Sequence, residues 1–205
     1  MANVTLWDYP KSSASYRVRI ALNLAGIAYD IETVDLQAKD HRNPDHLARN
    51  PQGLVPVLDI DGQRFTQSMA ILEYLDSTRS MGLLPKDAGP RAHVQALAHI
   101  IAIDLHPVCN MSVMMHATGG ADPARTDWMH HFIAPRLHEF ETVLARFHQA
   151  PFACGAAPGL ADICLIPQLY NAKRWGVPYG NCPRICAIET ACADLPAFSM
   201  AHPDQ

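Results

Sequence analysis

The stretch VPVLDIDGQRFT, residues 55–66, decides the fold predicted from this sequence. Two runs of residues that favour β-strands flank the pair Asp61-Gly62, which is typical of a two-residue hairpin turn of type I′. The two strands are therefore expected to pair antiparallel. Because Pro56 has no backbone N–H and would interrupt a central strand, we place it at the start of the first strand.

The segments around this hairpin predict a thioredoxin-like domain over residues 1–80. In chain order, its predicted elements are a strand at 4–9, a helix that Gly26 ends, a strand at 29–34, a polar segment at 35–49 with at most a short helix, the hairpin, and a helix capped by Ser68. The order β-α-β-(α)-β-β-α favours a cis bond between Val55 and Pro56 over the alternative, an ordinary trans edge proline.

The remainder of the chain follows a different pattern. Residues 81–90 mix glycine, proline and charged residues without periodicity, which is typical of a linker. From residue 91 to residue 205 apolar residues recur at helical intervals, and no run favours a strand. We therefore predict an α/β domain followed by an all-helical domain.

The composition favours a protein that acts on a small ligand. The chain has 205 residues, of which 49% are hydrophobic, and a net charge of −4 at pH 7. It has no basic stripe, so neither a nucleic acid nor an anionic membrane is expected as a partner. No apolar run approaches the roughly 20 residues of a membrane-spanning helix, and the first nine residues lack the charged stretch and long apolar run typical of a leader, so we expect none. We expect a cytoplasmic protein.

The cysteines and histidines do not form a recognisable metal site. The six cysteines include no C-x-x-C pair, which favours free thiols over a disulfide framework in a cytosolic protein. His130 and His131 are adjacent and therefore diverge on a helix, and His99 and His106 lack a third ligand at useful spacing. No metal is expected.

Two helix starts that carry hydroxyl groups are candidate anion sites. Ser12, Ser13 and Ser15 precede the first apolar helix, and Gln67-Ser68 lie where the second hairpin strand meets a helix. The start of a helix has unpaired N–H groups and a positive dipole end, so beside a serine hydroxyl it can hold a carboxylate or a sulfur anion. Plain N-caps explain the same residues.

Two further candidates lie in the helical half. Pro107 disfavours helical geometry at His106, which either directs this histidine toward a domain cleft or leaves it at an ordinary kink. Arg174, next to Trp175, either binds a substrate carboxylate through two parallel hydrogen bonds or is a solvated surface arginine. The residues alone leave both alternatives open.

Five segments together resemble one enzyme family, the zeta class of glutathione transferases, which includes maleylacetoacetate and maleylpyruvate isomerases. The similarity covers nearly the whole chain. The segments are SSASYRVRIALNLAGIAY (12–29), NPQGLVPVL (50–58), QSMAILEYL (67–75), HPVCNMSV (106–113) and LADICLIPQLYNAKRW (160–175).

The resemblance implies a glutathione-binding domain at 1–80, a helical domain at 91–205 that completes the substrate pocket, and a homodimer. It also implies a glutathione-dependent cis–trans isomerase of a cis-enedione acid, such as maleylacetoacetate or maleylpyruvate, in the breakdown of aromatic amino acids. In that reaction the glutathione thiolate adds to the double bond, the resulting single bond rotates, and the thiolate leaves.

The resemblance also assigns residues to the site, with Ser12, Ser13 and Arg174 as the catalytic set. The implied positions are Ser12 at the glutathione sulfur with Ser13 beside it, Val55 and cis-Pro56 along the tripeptide backbone, Gln67 and Ser68 at the γ-glutamyl end, His41 and Gln52 toward the glycine end, His106 near glutathione, and Arg174 at the substrate carboxylate.

The chain departs from the family pattern at two positions. Gly159 stands where the family usually has a serine or threonine cap, a mild change because glycine is also an acceptable N-cap. Ala14 stands where the family often has a cysteine, and related enzymes use that thiol in reductive dehalogenation. Ala14 therefore argues against dehalogenation.

Two alternatives to an isomerase remain. One is a general glutathione transferase that conjugates or dehalogenates α-halo acids, and the other is a non-enzymatic binding module of the same fold.

Overall fold

The computed structural model describes residues 4–148 and 150–205 and consists of two compact units. The first unit combines Met1–Met81 with Pro196–Gln205, and the second is Gly82–Leu195. The predicted change from an α/β pattern to a helical pattern falls close to the boundary between Met81 and Gly82.

A four-stranded mixed sheet forms the centre of the first unit. Its strands are β1 (Thr5–Asp8), β2 (Asp30–Thr33), β3 (Val57–Ile60) and β4 (Gln63–Thr66), in the spatial order β2-β1-β3-β4. β1 and β2 are parallel, whereas β1–β3 and β3–β4 are antiparallel. This topology confirms the thioredoxin-like order predicted from the sequence.

The hairpin between β3 and β4 has the predicted turn. Asp61 and Gly62 have φ angles of 54° and 73°, so both lie in the left-handed region that a type I′ turn requires. Leu58 pairs with Phe65 across the hairpin and with Leu6 on the other side. The peptide bond between Val55 and Pro56, immediately before β3, is cis as predicted.

Three helices and one short turn complete this part of the unit. They are α1 (Ser13–Leu24), a 3₁₀ turn at Asp40–Arg42, α2 (Pro44–Arg49) and α3 (Ser68–Arg79). α1 and α3 pack against each other through apolar residues that are fully buried, among them Val18, Leu22, Ile71 and Leu75. The polar segment at 35–49 therefore holds two short helical elements where the sequence predicted at most one.

Among the described residues of the second unit the regular secondary structure is helical, apart from one isolated β-bridge between Phe152 and Gly155. Its helices are α4 (Ala88–His99), which continues into a π-helical segment (Ile100–Leu105), then α5 (Met111–Thr118), α6 (Ala124–Leu144), α7 (Leu160–Arg174) and α8 (Pro183–Ala193). α4 begins at Ala88, within the predicted linker 81–90, so that linker is shorter than expected.

A buried carboxylate closes the start of α7. Asp162 accepts hydrogen bonds from the N–H groups of Ala153 and Gly159, each at 2.8 Å, and is only 1% exposed. A Cβ added at Gly159 would lie 3.0 Å from the carbonyl oxygen of Leu83, whose backbone accepts a hydrogen bond from Leu160. This close backbone approach explains why glycine suits the cap position.

The segment Pro196–Gln205, which we call the return segment, packs on the first unit and contains the short helix α9 (Pro196–Ser199). The sequence had placed these residues in the helical domain 91–205, and that assignment is wrong for the return segment. The physical reason lies in α1, which buries every residue from Ser15 to Leu22. A helix buried on all sides needs a second covering element besides α3, and α9 contacts α1.

No helix among the described residues is long and apolar enough to cross a membrane. The same residues contain no group of three or more side chains of the kind that hold a metal ion. All six cysteines are free thiols.

Candidate active site

The loop between β1 and α1 places Ser12 at the start of a helix. Ser12 is the N-cap of α1, with φ −74° and ψ 117°, and its Oγ accepts a hydrogen bond from the N–H of Ser15 at 3.2 Å. Its own N–H donates to the carbonyl oxygen of Tyr9 at 2.9 Å. An oxygen that accepts from the helix can still donate its hydroxyl proton outward. Ser12 can therefore be a cap and a donor to an anion at the same time.

The next residues of α1 share this half-buried position. Ser13 and Ala14 are partly exposed at the first turn, whereas Ser15 is fully buried. N–H groups in the first turn of a helix have no acceptor within the helix, and the helix dipole makes this end positive. The structure thus places Ser12 and Ser13 together at one positive, accessible helix end, and the binding of an anion there stays a prediction.

The start of α3 differs in detail from the prediction. Gln67, rather than Ser68, is the N-cap, and it has a φ of 68°, an unusual backbone conformation for a residue with a side chain. Ser68 is the first helical residue and is buried, and its Oγ accepts a hydrogen bond from Arg17 Nη1 at 3.3 Å. The predicted Ser68 cap is therefore wrong, because the helix begins at Ser68 itself, one residue earlier than it would with Ser68 as the N-cap.

The structure links Gln67 to Gln52. The Nε2 of Gln67 donates to the Oε1 of Gln52 at 2.8 Å, and both side chains are exposed. The two residues are fifteen positions apart, in different loops of the same unit. Two predicted glutathione-contacting residues thus lie side by side.

The segment before Pro56 is held by side chains that the sequence analysis missed. The carbonyl oxygen of Leu54 accepts hydrogen bonds from Asn50 Nδ2 at 2.9 Å and from His46 Nε2 at 3.0 Å. Asn50 Oδ1 also accepts from the N–H of Gln52 at 3.1 Å. His46 and Asn50 are 3% exposed, so the two donor side chains are buried. The Asn-Pro pair at 50–51 is a turn signal that could have drawn attention to Asn50.

His41 lies against this segment through its backbone. A Cβ added at Gly53, which has a φ of 61°, would lie 2.8 Å from the carbonyl oxygen of His41. His41 is half-buried, and its Nδ1 has no hydrogen-bond partner within the described part of the chain. Burial, together with the charge of Arg42, holds the pKa of His41 below its ordinary value. Both effects favour the neutral imidazole.

The remaining candidates belong to the second unit. The N–H of His106 donates to the carbonyl oxygen of Ile101 at 2.9 Å, a bond that closes the π-helical segment, and the side chain is half-buried. The predicted interruption at His106-Pro107 is therefore a π-helical turn. Arg174 is the last residue of α7 and is exposed, with its guanidinium carbon 5.8 Å from the centre of the Tyr170 ring.

Comparison with known proteins identifies relatives over the full length of the chain. The glutathione S-transferase N-terminal domain matches residues 2–77. A maleylacetoacetate isomerase of Rhizobium meliloti (strain 1021) is 54% identical over 210 residues, which cover 100% of this chain and 99% of the relative.

Two solved structures support the same relationship. One is the holo structure of maleyl pyruvate isomerase, a bacterial glutathione transferase of the zeta class, with a TM-score of 0.92, 38% identity, and coverage of 97% and 96% of the two chains. The other is maleylacetoacetate isomerase from Anaeromyxobacter dehalogenans with dicarboxyethyl glutathione and citrate in its active site. Its TM-score is 0.87, with 39% identity and coverage of 98% and 95%. This chain belongs to the zeta class of glutathione transferases, the family of the maleylacetoacetate and maleylpyruvate isomerases.

Proposed function

We propose that this protein is a glutathione-dependent cis–trans isomerase of a cis-enedione acid such as maleylacetoacetate or maleylpyruvate. The observation that carries the proposal is the geometry of Ser12, whose Oγ is engaged by the helix and whose hydroxyl proton can point to an anion. The relatives named as isomerases support the reaction class, because their identity to this chain extends over nearly its full length.

The described residues fit glutathione in the first unit. The hydroxyl of Ser12 and the start of α1 suit a sulfur anion. Gln67 is held in a strained backbone conformation next to the start of α3, and strain of this kind is concentrated at ligand sites. The Leu54 carbonyl, held by two hydrogen bonds, fixes the segment that leads into Val55 and cis-Pro56. Four of the proposed contacts thus have a local structural reason.

Glutathione, when bound, supplies a thiol whose ionised form adds to an electron-poor double bond and leaves it again. The role of Ser12 is to donate a hydrogen bond that favours the ionised sulfur, and the dipole of α1 acts in the same direction. Ser13 lies at the same helix end and can add a second donor. Gln67 and Ser68 hold the γ-glutamyl end, and His41 and Gln52 lie toward the glycine end. His106 lies near glutathione in this proposal.

Arg174 is the proposed docking group for the substrate carboxylate. Its guanidinium is exposed at the last turn of α7 and lies beside the Tyr170 ring, which restricts its orientation. A planar guanidinium that is always charged can bind a carboxylate through two parallel hydrogen bonds. The proposal gives Arg174 a role in binding and orientation, and gives Ser12 and Ser13 the role of stabilising the sulfur anion.

The test is an isomerase assay with maleylacetone as the substrate. We expect the cis-enedione absorbance to disappear only when both protein and glutathione are present, with glutathione recovered unchanged at the end. Conjugation of a model electrophile should be slow by comparison. Reductive dehalogenation should also be slow, because Ala14 supplies no thiol. Rapid conjugation without isomerisation would instead support a general transferase, and no reaction would support a binding module.

We also propose that the protein acts as a homodimer in the cytoplasm, in the breakdown of aromatic compounds. The family membership supports these proposals. Light scattering should give twice the mass of one chain in solution. Fractionation of the source cells should place the protein in the soluble cytoplasmic fraction.

A further inference from the structure

Arg19 is a buried arginine that the proposed reaction does not use. It is 5% exposed and lies on α1, two turns beyond Ser12. Its guanidinium has four hydrogen-bond contacts with three different parts of the chain. Nη1 donates to both carboxylate oxygens of Asp8, at 2.8 and 2.7 Å, Nη2 donates to the carbonyl oxygen of Pro10 at 2.8 Å, and Nε donates to the carbonyl oxygen of Ala201 at 3.0 Å.

Three of the four contacts, two to Asp8 and one to Pro10, hold the loop that carries Ser12. Asp8 is the last residue of β1, and Pro10 lies in the middle of the connection to α1. Tyr9, between them, accepts the N–H of Ser12 at 2.9 Å. Arg19 therefore fixes the loop on its inner side while Ser12 caps the helix on its outer side. A change in the position of Pro10 would move Ser12 relative to the start of the helix.

The fourth contact connects Arg19 to the return segment. Besides the bond from Arg19 to Ala201, Asn23 Nδ2 donates to the carbonyl oxygen of Ala197 at 3.0 Å. His202 meets the Tyr16 ring edge-on at 6.1 Å, and the Arg19 guanidinium lies 5.2 Å from the same ring. The return segment thus encloses Arg19 and excludes water from its ion pair with Asp8.

The charge of Arg19 compensates the buried carboxylate of Asp8. Burial raises the pKa of Asp8, while the charge and hydrogen bonds of Arg19 oppose that rise. A buried carboxylate is stable only with a well-aligned partner. A lysine could replace the charge of Arg19. Its donors all lie on one nitrogen, however, whereas the planar guanidinium donates in separate directions to Asp8, Pro10 and Ala201.

We propose that Arg19, enclosed by the return segment, is a positioning residue for the sulfur site: it sets the place of Ser12 through Asp8 and Pro10. It touches neither glutathione nor substrate in this role. The proposal rests on the proposed function only in taking glutathione as the ligand whose sulfur Ser12 meets.

The test compares Arg19→Lys with Arg79→Lys, a matched control. Arg79 forms an ion pair with Asp61 at 2.6 Å on the surface of the same unit, away from the loop. The readout is the pKa of the glutathione thiol in the complex, followed by the ultraviolet absorbance of the thiolate as the pH is varied. We expect Arg19→Lys to raise this pKa by about one unit and to lower kcat near neutral pH by about tenfold, whereas Arg79→Lys changes neither.

A merely structural role for Arg19 would lower the melting temperature and leave the thiol pKa of the folded variant at the wild-type value, and that result would overturn the proposal. If Arg19→Lys does not fold, Asn23→Ala provides the test. This change removes the hydrogen bond to Ala197 that holds the return segment, and it leaves Arg19 in place. It should raise the thiol pKa in the same direction by a smaller amount, and an unchanged pKa would then count against the proposal. The titration measures the ionisation of bound glutathione and needs no isomerase activity. A wild-type protein that ionises glutathione but does not isomerise the substrate would therefore refute the proposed function and leave the role of Arg19 standing.

Discussion

The starts of α1 and α7 meet the same physical problem in different ways. Each helix begins with N–H groups that have no acceptor within the helix. At α1 a neutral hydroxyl, Ser12, accepts one of them and stays half-exposed. At α7 the N–H of Leu160 donates to the Leu83 carbonyl oxygen. The buried carboxylate of Asp162, in the first turn, accepts from Ala153 and Gly159, which precede the helix. The first start remains open to a ligand, while the second is closed and serves stability.

The largest expected effect on stability belongs to the closed helix start. Asp162→Ala leaves two buried N–H groups without acceptors, and we expect the free energy of unfolding to fall by about 3 kcal/mol. Denaturant unfolding followed by circular dichroism measures this. Asp162→Asn keeps one acceptor oxygen and should lose about half as much. Equal stability of Asp162→Ala and the wild type would remove Asp162 from the account of the fold.

The open helix start should show the opposite pattern. Ser12→Ala removes the hydroxyl donor, and we expect kcat to fall by about 10² or more, comparable to the loss of an oxyanion donor. The loss of a cap should reduce the free energy of unfolding by only about 1 kcal/mol. Steady-state kinetics beside denaturant unfolding distinguishes the two effects. Near-normal turnover would exclude the proposed role of Ser12.

Arg174→Ala should affect binding of the substrate more than the chemical step. We expect the KM for a dicarboxylic substrate to rise about tenfold, the loss of roughly one charge-assisted contact, with a much smaller change for an ester analogue. Initial rates with the two substrates measure this difference. Lys173→Ala, at the neighbouring exposed position, is the control. Equal changes with acid and ester would remove Arg174 from the carboxylate site.

The closed start also predicts a pH dependence. Burial raises the pKa of Asp162 to about 6 in the folded protein, above its value of about 4 in an unfolded chain. The native state therefore holds the proton more tightly, so this contribution is greatest below pH 4 and is lost as the pH rises through about 6. We expect the free energy of unfolding to fall by about 2–3 kcal/mol over that range, since each pKa unit corresponds to about 1.4 kcal/mol. Asp162→Asn should lack this slope, and the same slope in both proteins would contradict the assignment.

The smallest expected effect is at Gly159. Gly159→Ala places a Cβ 3.0 Å from the Leu83 carbonyl oxygen without adding an acceptor, and should lower the free energy of unfolding by about 1 kcal/mol. Gly159→Ser adds the same crowding but also a capping oxygen, so it should be closer to neutral. Thermal unfolding of the two variants measures the difference. A less stable serine variant would show that crowding outweighs capping.

The residues at these sites show what a sequence pattern can predict. The pair Asp61-Gly62 specifies its turn because aspartate and glycine tolerate the positive φ angles that the turn requires. Ser12 is a good cap for the same local reason. Ser68 looked equally suitable, yet Gln67 takes a positive φ and Ser68 instead accepts from Arg17, fifty-one residues away. The distant partner overrode the local preference.

The sequence by itself determined the order of strands and helices, the hairpin, the serines at the start of α1 and the family. These features arise from interactions between residues a few positions apart, or from motifs that keep their spacing. Only the tertiary structure decided that Gln52 meets Gln67, that His46 and Asn50 hold Leu54, and that Arg19 meets Ala201 across 182 positions. Packing selects such long-range partners, because a buried charge or carbonyl takes whichever group the fold brings within hydrogen-bond distance.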